Sequence, residues 1–360
     1  MGEELQRLER LRQRLRKDEL DGLIVSAPES VFYLSGFRGS SGALLIDYDR
    51  QLLLSDFRYR LQAREQAPDF EFVEVPRRLF GEVGAQAAAA GLGRLGYDQS
   101  HLTCEQRDHV AGALGSGTLV PASGLVETLR TVKSEGEIER IAQAAALADR
   151  ALARMVELLR PGLTEREIAL EGEFLMRREG AEAAAFDIIL ASGPRSALPH
   201  AETTDRQLTE GDLVVIDIGA RVAGYCSDMT RTFAVGSASG KAMEVYQVVY
   251  RAQRAAAARV SVGAKCGEVD AAARSVIAEA GYGDSFGHGL GHGVGIAVHE
   301  GPRLAKGEES ELAAGNVVTV EPGIYLEGFG GVRLEDLLVV AQEGARTLTG
   351  APMPIELPVV

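Results

Sequence analysis

VVIDIGARVAGYCSDMTRTF, residues 214–233, contains two strand-like runs joined by a short loop. Side chains alternate along a strand, so Asp217 shares a face with Val215 and Gly219 rather than with its isoleucine neighbours. A carboxylate inside an apolar strand is costly to bury without a partner, and a metal ion is the simplest one. The stretch therefore predicts an antiparallel hairpin in which Asp217 and Asp228 face each other. Two loop acids or a buried acid pair without metal are the alternatives.

A second pair of apolar runs, 317–326 and 331–340, flanks the glycine-rich turn EGFG and repeats this arrangement. Glu321 ends the first run and Glu335 lies within the second. Arg333 precedes Glu335 by two residues on the same strand face, where it can hydrogen-bond a metal-binding carboxylate or a substrate. A surface ion pair is the usual outcome for an isolated Arg-x-Glu. Its place between two candidate ligand strands favours the functional interpretation.

Three histidines fall within the glycine-rich stretch FGHGLGHGVGIAVHE, residues 286–300. Because glycine disfavours a helix, His288 and His292 do not form a helical metal-binding pair. Glycines also let the backbone approach a ligand closely. A single histidine in such a loop is more often structural. Together with His299 and the nearby acids, however, the cluster indicates a binding or catalytic site.

These acids and histidines favour a centre of two divalent metal ions. Four carboxylates with one imidazole suit manganese or cobalt, whereas a structural zinc site prefers thiolates and several imidazoles. Two adjacent ions can activate a water molecule and polarise a carbonyl oxygen, which predicts a hydrolase. The predicted ligands are Asp217, Asp228, His292, Glu321 and Glu335.

The composition limits the class of protein. A length of 360 residues suggests two domains, and a formal net charge of −14 argues against a nucleic-acid partner, because phosphate binding requires a basic surface. No apolar run is long enough for a membrane span, and the charged start MGEELQRLERLRQRLRKDEL is not typical of a signal peptide. Three widely separated cysteines argue against a disulfide framework. We therefore expect a cytoplasmic protein with no membrane partner.

Two parts of the chain differ in pattern, and we place their boundary between residues 127 and 128. Residues 1–127 alternate apolar runs with helical stretches, which predicts an α/β domain. Its predicted strands are 22–26, 43–46, 51–54, 71–75 and 94–98, and its predicted helices are 5–15, 57–66 and 78–90. Residues 128–360 start with helices opened by two capping boxes, Ser134 with Glu137 and Thr164 with Glu167. Hairpins follow, so this part is predicted to be α+β, with one curved antiparallel sheet holding all the ligands.

Six segments in fixed order resemble the pita-bread metallopeptidases, and within them the proline-specific Xaa-Pro aminopeptidases and prolidases. They are LRTVKSEGEIERIAQAA, ILASGPRSALPHAE, VVIDIGARVAGYCSDMTRTF, HGLGHGVGIAVHE, VEPGIY and GVRLEDLLVV. Each segment is a weak signal alone, but their order is specific and the resemblance covers nearly the whole chain. It implies an α+β pita-bread catalytic domain over residues 128–360, preceded by a smaller α/β creatinase-type domain.

The resemblance also implies a mechanism. The five predicted ligands would hold two divalent ions, Mn²⁺ first and Co²⁺ or Zn²⁺ as alternatives, with Asp228 and Glu335 bridging them. A hydroxide between the ions would attack the carbonyl carbon that precedes proline. Glu321 would pass the proton of the attacking water to the leaving proline nitrogen. All five ligand positions are intact, so we expect an active enzyme.

Further roles follow from the same resemblance. His200 and His299 would contact the substrate and help stabilise the tetrahedral intermediate. His288 would lie near the proline pocket, and Arg333 beside the bridging glutamate. We also expect a homodimer that acts on proline-containing peptides.

The first domain indicates the branch of the family. DFRY, Asp56 to Tyr59, resembles a signature of small bacterial aminopeptidases P, and residues 33–42 are similar to the same branch. We therefore expect an Xaa-Pro aminopeptidase, with Arg58 and Tyr59 among the substrate-binding residues. A structural salt bridge of Arg58 within the first domain is the competing interpretation.

Other activities remain as alternatives. The first is an Xaa-Pro dipeptidase, a prolidase, because Arg38 lies in a glycine-rich segment and can imitate the arginine with which prolidases hold the proline carboxylate. A non-catalytic pita-bread binding module is more remote, since such modules lose metal ligands. Methionine aminopeptidase does not fit the size of the first domain, and creatinase lacks the metal-binding acids.

Overall fold

The computed structural model describes residues 2–360 and divides into two compact units, which meet in sequence between Arg130 and Thr131. The boundary predicted between residues 127 and 128 falls inside the helix Leu125–Arg130, which ends the first unit. Among the described residues, no helix is long and apolar enough to cross a membrane.

The first unit is built on a mixed six-stranded sheet. Its strands, in the order β4-β3-β2-β1-β5-β6 across the sheet, are β1 (Gly22–Val25), β2 (Ala43–Asp47), β3 (Gln51–Ser55), β4 (Glu71–Glu74), β5 (Arg94–Tyr97) and β6 (Thr118–Pro121). Its helices are α1 (Glu3–Lys17), α2 (Pro28–Ser35), α3 (Arg60–Gln66), α4 (Leu79–Ala89), α5 (Cys104–Leu114) and α6 (Leu125–Arg130). The apolar stripe of α1 is buried, with Leu8, Leu11 and Leu15 fully inside.

All five predicted strands of this unit are confirmed, but the prediction missed β6, α2, α5 and α6. Strand β6 is a short edge strand with two partly buried side chains and two exposed ones, so it lacks a strong apolar run. Helix α5 has no continuous apolar stripe and buries only Val110 and Leu114. Its start is fixed instead by the capping box of Thr103 and Gln106, a local hydrogen-bond signal.

The second unit combines four helices with antiparallel strand pairs, as the α+β prediction requires. The helices are α7 (Glu135–Glu157), α8 (Glu165–Arg178), α9 (Gly240–Ala257) and α10 (Cys266–Glu279). Both predicted capping boxes form, so Ser134 opens α7 and Thr164 opens α8. Short 3₁₀ turns cover Gly193–Ala197 and Gly283–Ser285.

The strands of this unit form several ladders. They are β7 (Ala183–Ala184), β8 (Ile189–Ser192), β9 (Leu213–Ile218), β10 (Ala220–Val222), β11 (Tyr225–Cys226), β12 (Met229–Ala234), β13 (Gly291–Gly293), β14 (Glu300–Leu304), β15 (Val317–Val320), β16 (Gly323–Leu326), β17 (Gly330–Arg333), β18 (Asp336–Val340) and β19 (Ala345–Thr347). Their orders are β12-β9-β8, β11-β10-β7, β14-β13-β15-β18-β19 and β16-β17.

The register of the first hairpin differs from the prediction. Asp217 on β9 lies opposite Thr230 on β12, and Asp228 precedes β12 instead of facing Asp217. The ladder ends at the pair Ile218–Met229, and only glycine fits at position 219, because a Cβ there would lie 2.1 Å from the carbonyl oxygen of Ser227. The predicted pairing of Asp217 with Asp228 across the strands is therefore wrong.

The second predicted hairpin is also interrupted. Strand β15 pairs with β18, and β16 pairs with β17, so that residues 321–322 and 334–335 separate two ladders. Pro322 has no backbone N–H to donate, which ends the β15 ladder at Val320. Glu321 and Glu335 lie in these two breaks.

We expect Gly84→Ala to destabilise the first unit. Gly84 lies on α4 against α5, and a Cβ there would lie 2.4 Å from the Val110 carbonyl oxygen. Such overpacking lowers the free energy of unfolding by about 1–3 kcal/mol, measurable by urea denaturation. The control is Gly112→Ala on α5, where no atom lies within 4 Å, so stability rises by up to about 1 kcal/mol. Equal effects of the two substitutions would contradict the close packing of the helices.

Candidate active site

The predicted acids share a position relative to the strands. Asp228, Glu321 and Glu335 lie in strand interruptions, and Asp217 lies two residues before the break at Gly219. A residue outside a ladder is not bound to the alternation of strand side chains, so its carboxylate can turn toward a common point. The breaks therefore direct acids from distant segments toward one place.

That place is a cavity of about 790 Å³ in the second unit. The structure brings together at its wall every predicted site residue of this unit, namely His200, Asp217, Asp228, His288, His292, His299, Glu321, Arg333 and Glu335. Arg58 and Tyr59 belong to the first unit. The four predicted acids, which are far apart in the sequence, therefore line one cavity.

Three of the predicted ligands form a compact group. One donor atom from each of Asp228, His292 and Glu335 lies within 4.8 Å of the other two. His292 Nε2 is 3.2 Å from Glu321 Oε1 and 3.6 Å from Asp228 Oδ2. Imidazole and carboxylate donors at such separations have the spacing and chemistry needed to bind a divalent cation.

Two buried oxygens of the group test whether a cation fits. Asp217 Oδ1 and Glu335 Oε1 are fully buried and have no hydrogen-bond partner among the described residues. An unsatisfied buried carboxylate oxygen is costly, and coordination of a cation removes that cost. The second oxygens are held in place, since Arg333 donates to Asp217 Oδ2 at 2.6 Å and Thr230 Oγ1 donates to Glu335 Oε2 at 2.6 Å. Each acid thus has one oxygen fixed and one available.

The electrostatics of the cavity also favour a cation. Burial, followed by repulsion from Glu335, raises the pKa of Asp228 well above its usual range. Burial, followed by repulsion from Glu321 and Asp217, does the same to the pKa of Glu335. A divalent cation reverses this effect, because it stabilises the deprotonated carboxylates that bind it.

Glu321 and His292 behave as a pair. Burial alone would raise the pKa of Glu321, but the hydrogen bond and positive charge of His292, together with Arg333 and His288, outweigh burial, and the pKa falls below the usual value. Burial likewise opposes the charged form of His292, and Glu321 outweighs it, so the pKa of His292 rises. Without a metal ion, a proton is therefore held between them. Coordination through His292 Nε2 would release this proton.

Arg333 connects the acids to the surrounding chain. It is 4% exposed, and its guanidinium donates to Asp217, to Thr230 Oγ1 at 3.1 Å, to Tyr325 Oη at 3.0 Å and to the Pro199 carbonyl at 2.9 Å. The planar fork of arginine suits several fixed acceptors at once. The surface ion pair considered for Arg333 does not form.

The three cavity histidines other than His292 have different environments. His200 directly follows Pro199, whose carbonyl oxygen accepts a hydrogen bond from Arg333. His288 Nε2 lies 3.0 Å from Tyr325 Oη, and burial lowers the pKa of His288. His299 packs edge-on against His292 with ring centroids 4.3 Å apart, and partial burial followed by His292 lowers its pKa. At neutral pH, His288 and His299 are therefore neutral and can donate or accept a hydrogen bond.

Sequence reasoning missed Thr230, Tyr325 and Arg303. Thr230 is completely buried, and its hydroxyl joins Arg333 to Glu335. A signal for Tyr325 was present, because it ends the segment VEPGIY and lies within four residues of Glu321. Arg303 pairs across β13 and β14 with His292 and lines the cavity. Its role could not be found without the strand register.

The DFRY motif forms contacts inside the first unit. Asp56 and Arg58 make an ion pair of 2.8 Å, which is the competing interpretation offered for Arg58. Tyr59 Oη lies 2.7 Å from Ser40 Oγ, and its ring packs on Phe37. A role of Arg58 and Tyr59 in substrate binding stays a prediction.

Comparison with known proteins assigns the family. Residues 139–342 match metallopeptidase family M24, and residues 7–132 match the creatinase/prolidase N-terminal domain. The chain belongs to metallopeptidase family M24. As a member of M24 it is a metal-dependent peptidase, and the expected creatinase-type and pita-bread domains are confirmed.

Relatives of this M24 chain are similar over their whole length. The Xaa-Pro dipeptidase of Pyrococcus furiosus is 37% identical and covers 96% of this chain and 97% of its own. The structure of an Xaa-Pro dipeptidase from Bacillus anthracis has a TM-score of 0.95 at 41% identity, covering 99% of this chain and 100% of that one. The structure of an X-Pro aminopeptidase from Thermotoga maritima has a TM-score of 0.90 at 38% identity, covering 98% and 99%.

We expect Asp228→Asn to stabilise the metal-free protein at neutral pH and to remove its stabilisation by Mn²⁺. The folded-state pKa of Asp228 is raised, so the wild type loses stability as pH rises from the usual carboxyl value through the raised one. The difference in melting temperature should therefore grow as the pH rises above about 4, the usual carboxyl value, and reach roughly 3 °C.

Thermal unfolding with EDTA or with Mn²⁺ measures this difference. Asp187→Asn, an exposed acid at the same cavity, is the matched control and should keep the Mn²⁺ effect. A wild-type melting temperature that does not respond to Mn²⁺, Co²⁺ or Zn²⁺ would contradict the metal site.

Proposed function

We propose that this protein is an Xaa-Pro dipeptidase, which hydrolyses the bond before proline in dipeptides. Relatives named Xaa-Pro dipeptidases are similar over nearly all of the chain, and they favour this activity over the aminopeptidase expected from the DFRY motif. The sequence alone favours the aminopeptidase with the dipeptidase as its alternative, and these relatives reverse that order.

The observation that carries the proposal is the position of Arg303. Its side chain lines the cavity directly across the strand pair from His292. Within residues 2–360 it forms no ion pair and no side-chain hydrogen bond, so its guanidinium is available to a ligand. The carboxylate of a dipeptide follows proline immediately, and arginine binds a carboxylate in a bidentate manner. A cation so close to the metal-binding acids therefore fits a substrate with one residue after the cleaved bond.

The cofactor in this proposal is a pair of divalent cations. Asp217, Asp228, His292, Glu321 and Glu335 would hold them, as the free oxygens and the donor set allow. When bound, such cations activate a water molecule and polarise the peptide carbonyl. We propose Mn²⁺, because four carboxylates with one imidazole make a hard donor set, and Co²⁺ and Zn²⁺ are the alternatives.

The side chains of the protein itself supply proton transfer and orientation. Glu321 takes the proton of the attacking water and gives it to the leaving proline nitrogen, a role that suits its lowered pKa. His299 and His200 donate hydrogen bonds to the carbonyl oxygen as negative charge develops on it. Arg333 keeps Asp217 in one orientation through its 2.6 Å bond. His288 contacts the proline ring side of the substrate.

An Xaa-Pro aminopeptidase is the second candidate. Its support is the Thermotoga maritima structure together with the resemblance of DFRY, in which Arg58 and Tyr59 would bind substrate. It differs from the dipeptidase in one physical respect. A longer peptide has no carboxylate next to proline, so Arg303 would have no ionic partner in the substrate.

We also propose a cytoplasmic homodimer acting on proline-containing peptides. The homodimer rests on the family resemblance. The cytoplasmic location rests on the three cysteines, all of which are free thiols in the structure.

We expect Met-Pro to be hydrolysed in the presence of Mn²⁺, and Met-Pro-Ala to be hydrolysed at least about tenfold less efficiently. The reason is that the third residue moves the carboxylate away from Arg303. Release of methionine, followed by chromatography, gives kcat/KM for each peptide. Equal or faster turnover of the tripeptide would establish the aminopeptidase instead. If neither peptide is cleaved with Mn²⁺, Co²⁺ or Zn²⁺, the non-catalytic module is favoured.

We expect Arg303→Gln to raise KM for Met-Pro by about tenfold or more, since it removes a charged hydrogen-bond partner of the substrate. The amide Met-Pro-NH₂ lacks the carboxylate, so its hydrolysis should be slow in the wild type and unchanged in the variant. Arg346→Gln, an exposed arginine on β19 away from the cavity, is the control. A variant that still prefers Met-Pro over its amide would show that Arg303 does not bind the carboxylate.

A further inference from the structure

The loop that carries His288 has no regular structure of its own. Residues 286–290 form neither helix nor strand, and their sequence FGHGL contains two glycines. Glycine has the largest backbone freedom of any residue, so such a loop has a high entropic cost of ordering. The position of His288 must therefore be fixed by contacts from outside the loop.

Helix α10 provides four of those contacts, beside the bond of the Glu321 N–H to the Leu290 carbonyl oxygen and the contact of His288 with Tyr325. Arg274 Nη1 donates to the Phe286 carbonyl oxygen at 3.0 Å, and Arg274 Nη2 donates to the His288 carbonyl oxygen at 2.9 Å. The guanidinium also lies over the Phe286 ring, 4.3 Å from its centroid. The backbone N–H of Leu290 donates to Asp270 Oδ1 at 3.1 Å. The backbone of residues 286, 288 and 290 is thus hydrogen-bonded to side chains of α10.

Asp270 and Arg274 are themselves fixed to each other. They are one helical turn apart, and two bonds of 2.9 and 2.7 Å join the guanidinium to the carboxylate. Asp270 is 1% exposed, so its charge depends on this partner. An aspartate that precedes an arginine by four residues on a helix is a favourable ion pair. The pair forms a rigid clasp behind the loop.

The orientation of the His288 ring depends on where this loop lies. Its Nε2 is 3.0 Å from Tyr325 Oη, and Tyr325 Oη also accepts from Arg333, which holds Asp217. The Phe286 ring stacks against Arg274 and packs edge-on against the His288 ring, with the two ring centroids 5.0 Å apart. A small displacement of the loop would move the imidazole away from Tyr325 and from the substrate side of the cavity.

We propose that Asp270 and Arg274 are positioning residues, a clasp on α10 that sets His288 in the cavity for the reaction. The effect on turnover rests on the proposed dipeptidase function, whereas the effect on the loop does not. The clasp touches neither the cavity nor the five candidate metal ligands through its side chains. It acts through the backbone of residues 286, 288 and 290.

The test uses Arg274→Gln in the full-length protein, with Arg251→Gln on the neighbouring helix α9 as the control. Arg251 is exposed and is not bonded to the loop. Hydrogen–deuterium exchange of the peptide covering residues 284–292 reports on the loop without any need for activity. We expect exchange there to be about tenfold faster in Arg274→Gln and unchanged in Arg251→Gln. Arg274→Lys, which keeps one donor, should lie between them.

Kinetics on Met-Pro with Mn²⁺ then separates positioning from a general structural role. We expect kcat/KM to fall about tenfold in Arg274→Gln, mainly through KM, because a misplaced His288 weakens substrate contacts. In a His288→Ala background the further loss should be less than about twofold, since the clasp then has no histidine to position. Asp270→Asn serves as the second variant and should follow Arg274→Gln in both measurements.

The outcomes separate this proposal from the proposed function. Unchanged exchange of the loop in Arg274→Gln, or losses that multiply fully in the double variant, would overturn the clasp. An inactive wild type with faster exchange in the variant would reject the dipeptidase and keep the clasp as a loop anchor.

Discussion

Mutual repulsion of buried carboxylates is the constraint on which the rest of the site depends. Asp228 and Glu335 are buried side by side at the cavity, where burial and neighbouring negative charge raise the pKa of both. Arg333 is paired with Asp217 and His292 with Glu321, and Asp228 and Glu335 have no ion pair with a lysine or arginine within residues 2–360. A cluster of this kind is stable in its deprotonated form only with added positive charge. The need for a cation is thus a property of the folded chain.

Interruptions of the strands bring the acids close enough together to share a cation. In a continuous ladder, neighbouring side chains point to opposite faces, and acids on different strands rarely meet at one point. Breaks at Gly219, Pro322 and Leu334 let segments that are far apart in sequence turn inward. The second oxygens of the acids are then fixed by Thr230 and Arg333, so the free oxygens have defined directions.

Much of this arrangement could be predicted from the sequence, for identifiable reasons. A carboxylate in an apolar run is conspicuous, which is why Asp217 and Glu335 were found. Capping boxes are local, which is why the starts of α7 and α8 were right. What failed depends on register. The opposition of Asp217 to Thr230, and of His292 to Arg303, follows from pairings that no local pattern encodes. The local resemblance of DFRY favoured the aminopeptidase, whereas the position of Arg303 at the cavity becomes visible only with the strand register.

The strand breaks also affect which substitutions the fold can tolerate during evolution. Asp228, Glu321 and Glu335 lie outside the named strands, so replacing their side chains changes no side chain of a strand. Removing the charges also relieves the strain of crowding them together. A descendant of such a chain can therefore lose catalysis and keep its fold. The same fold can then serve in proteins that only bind a ligand.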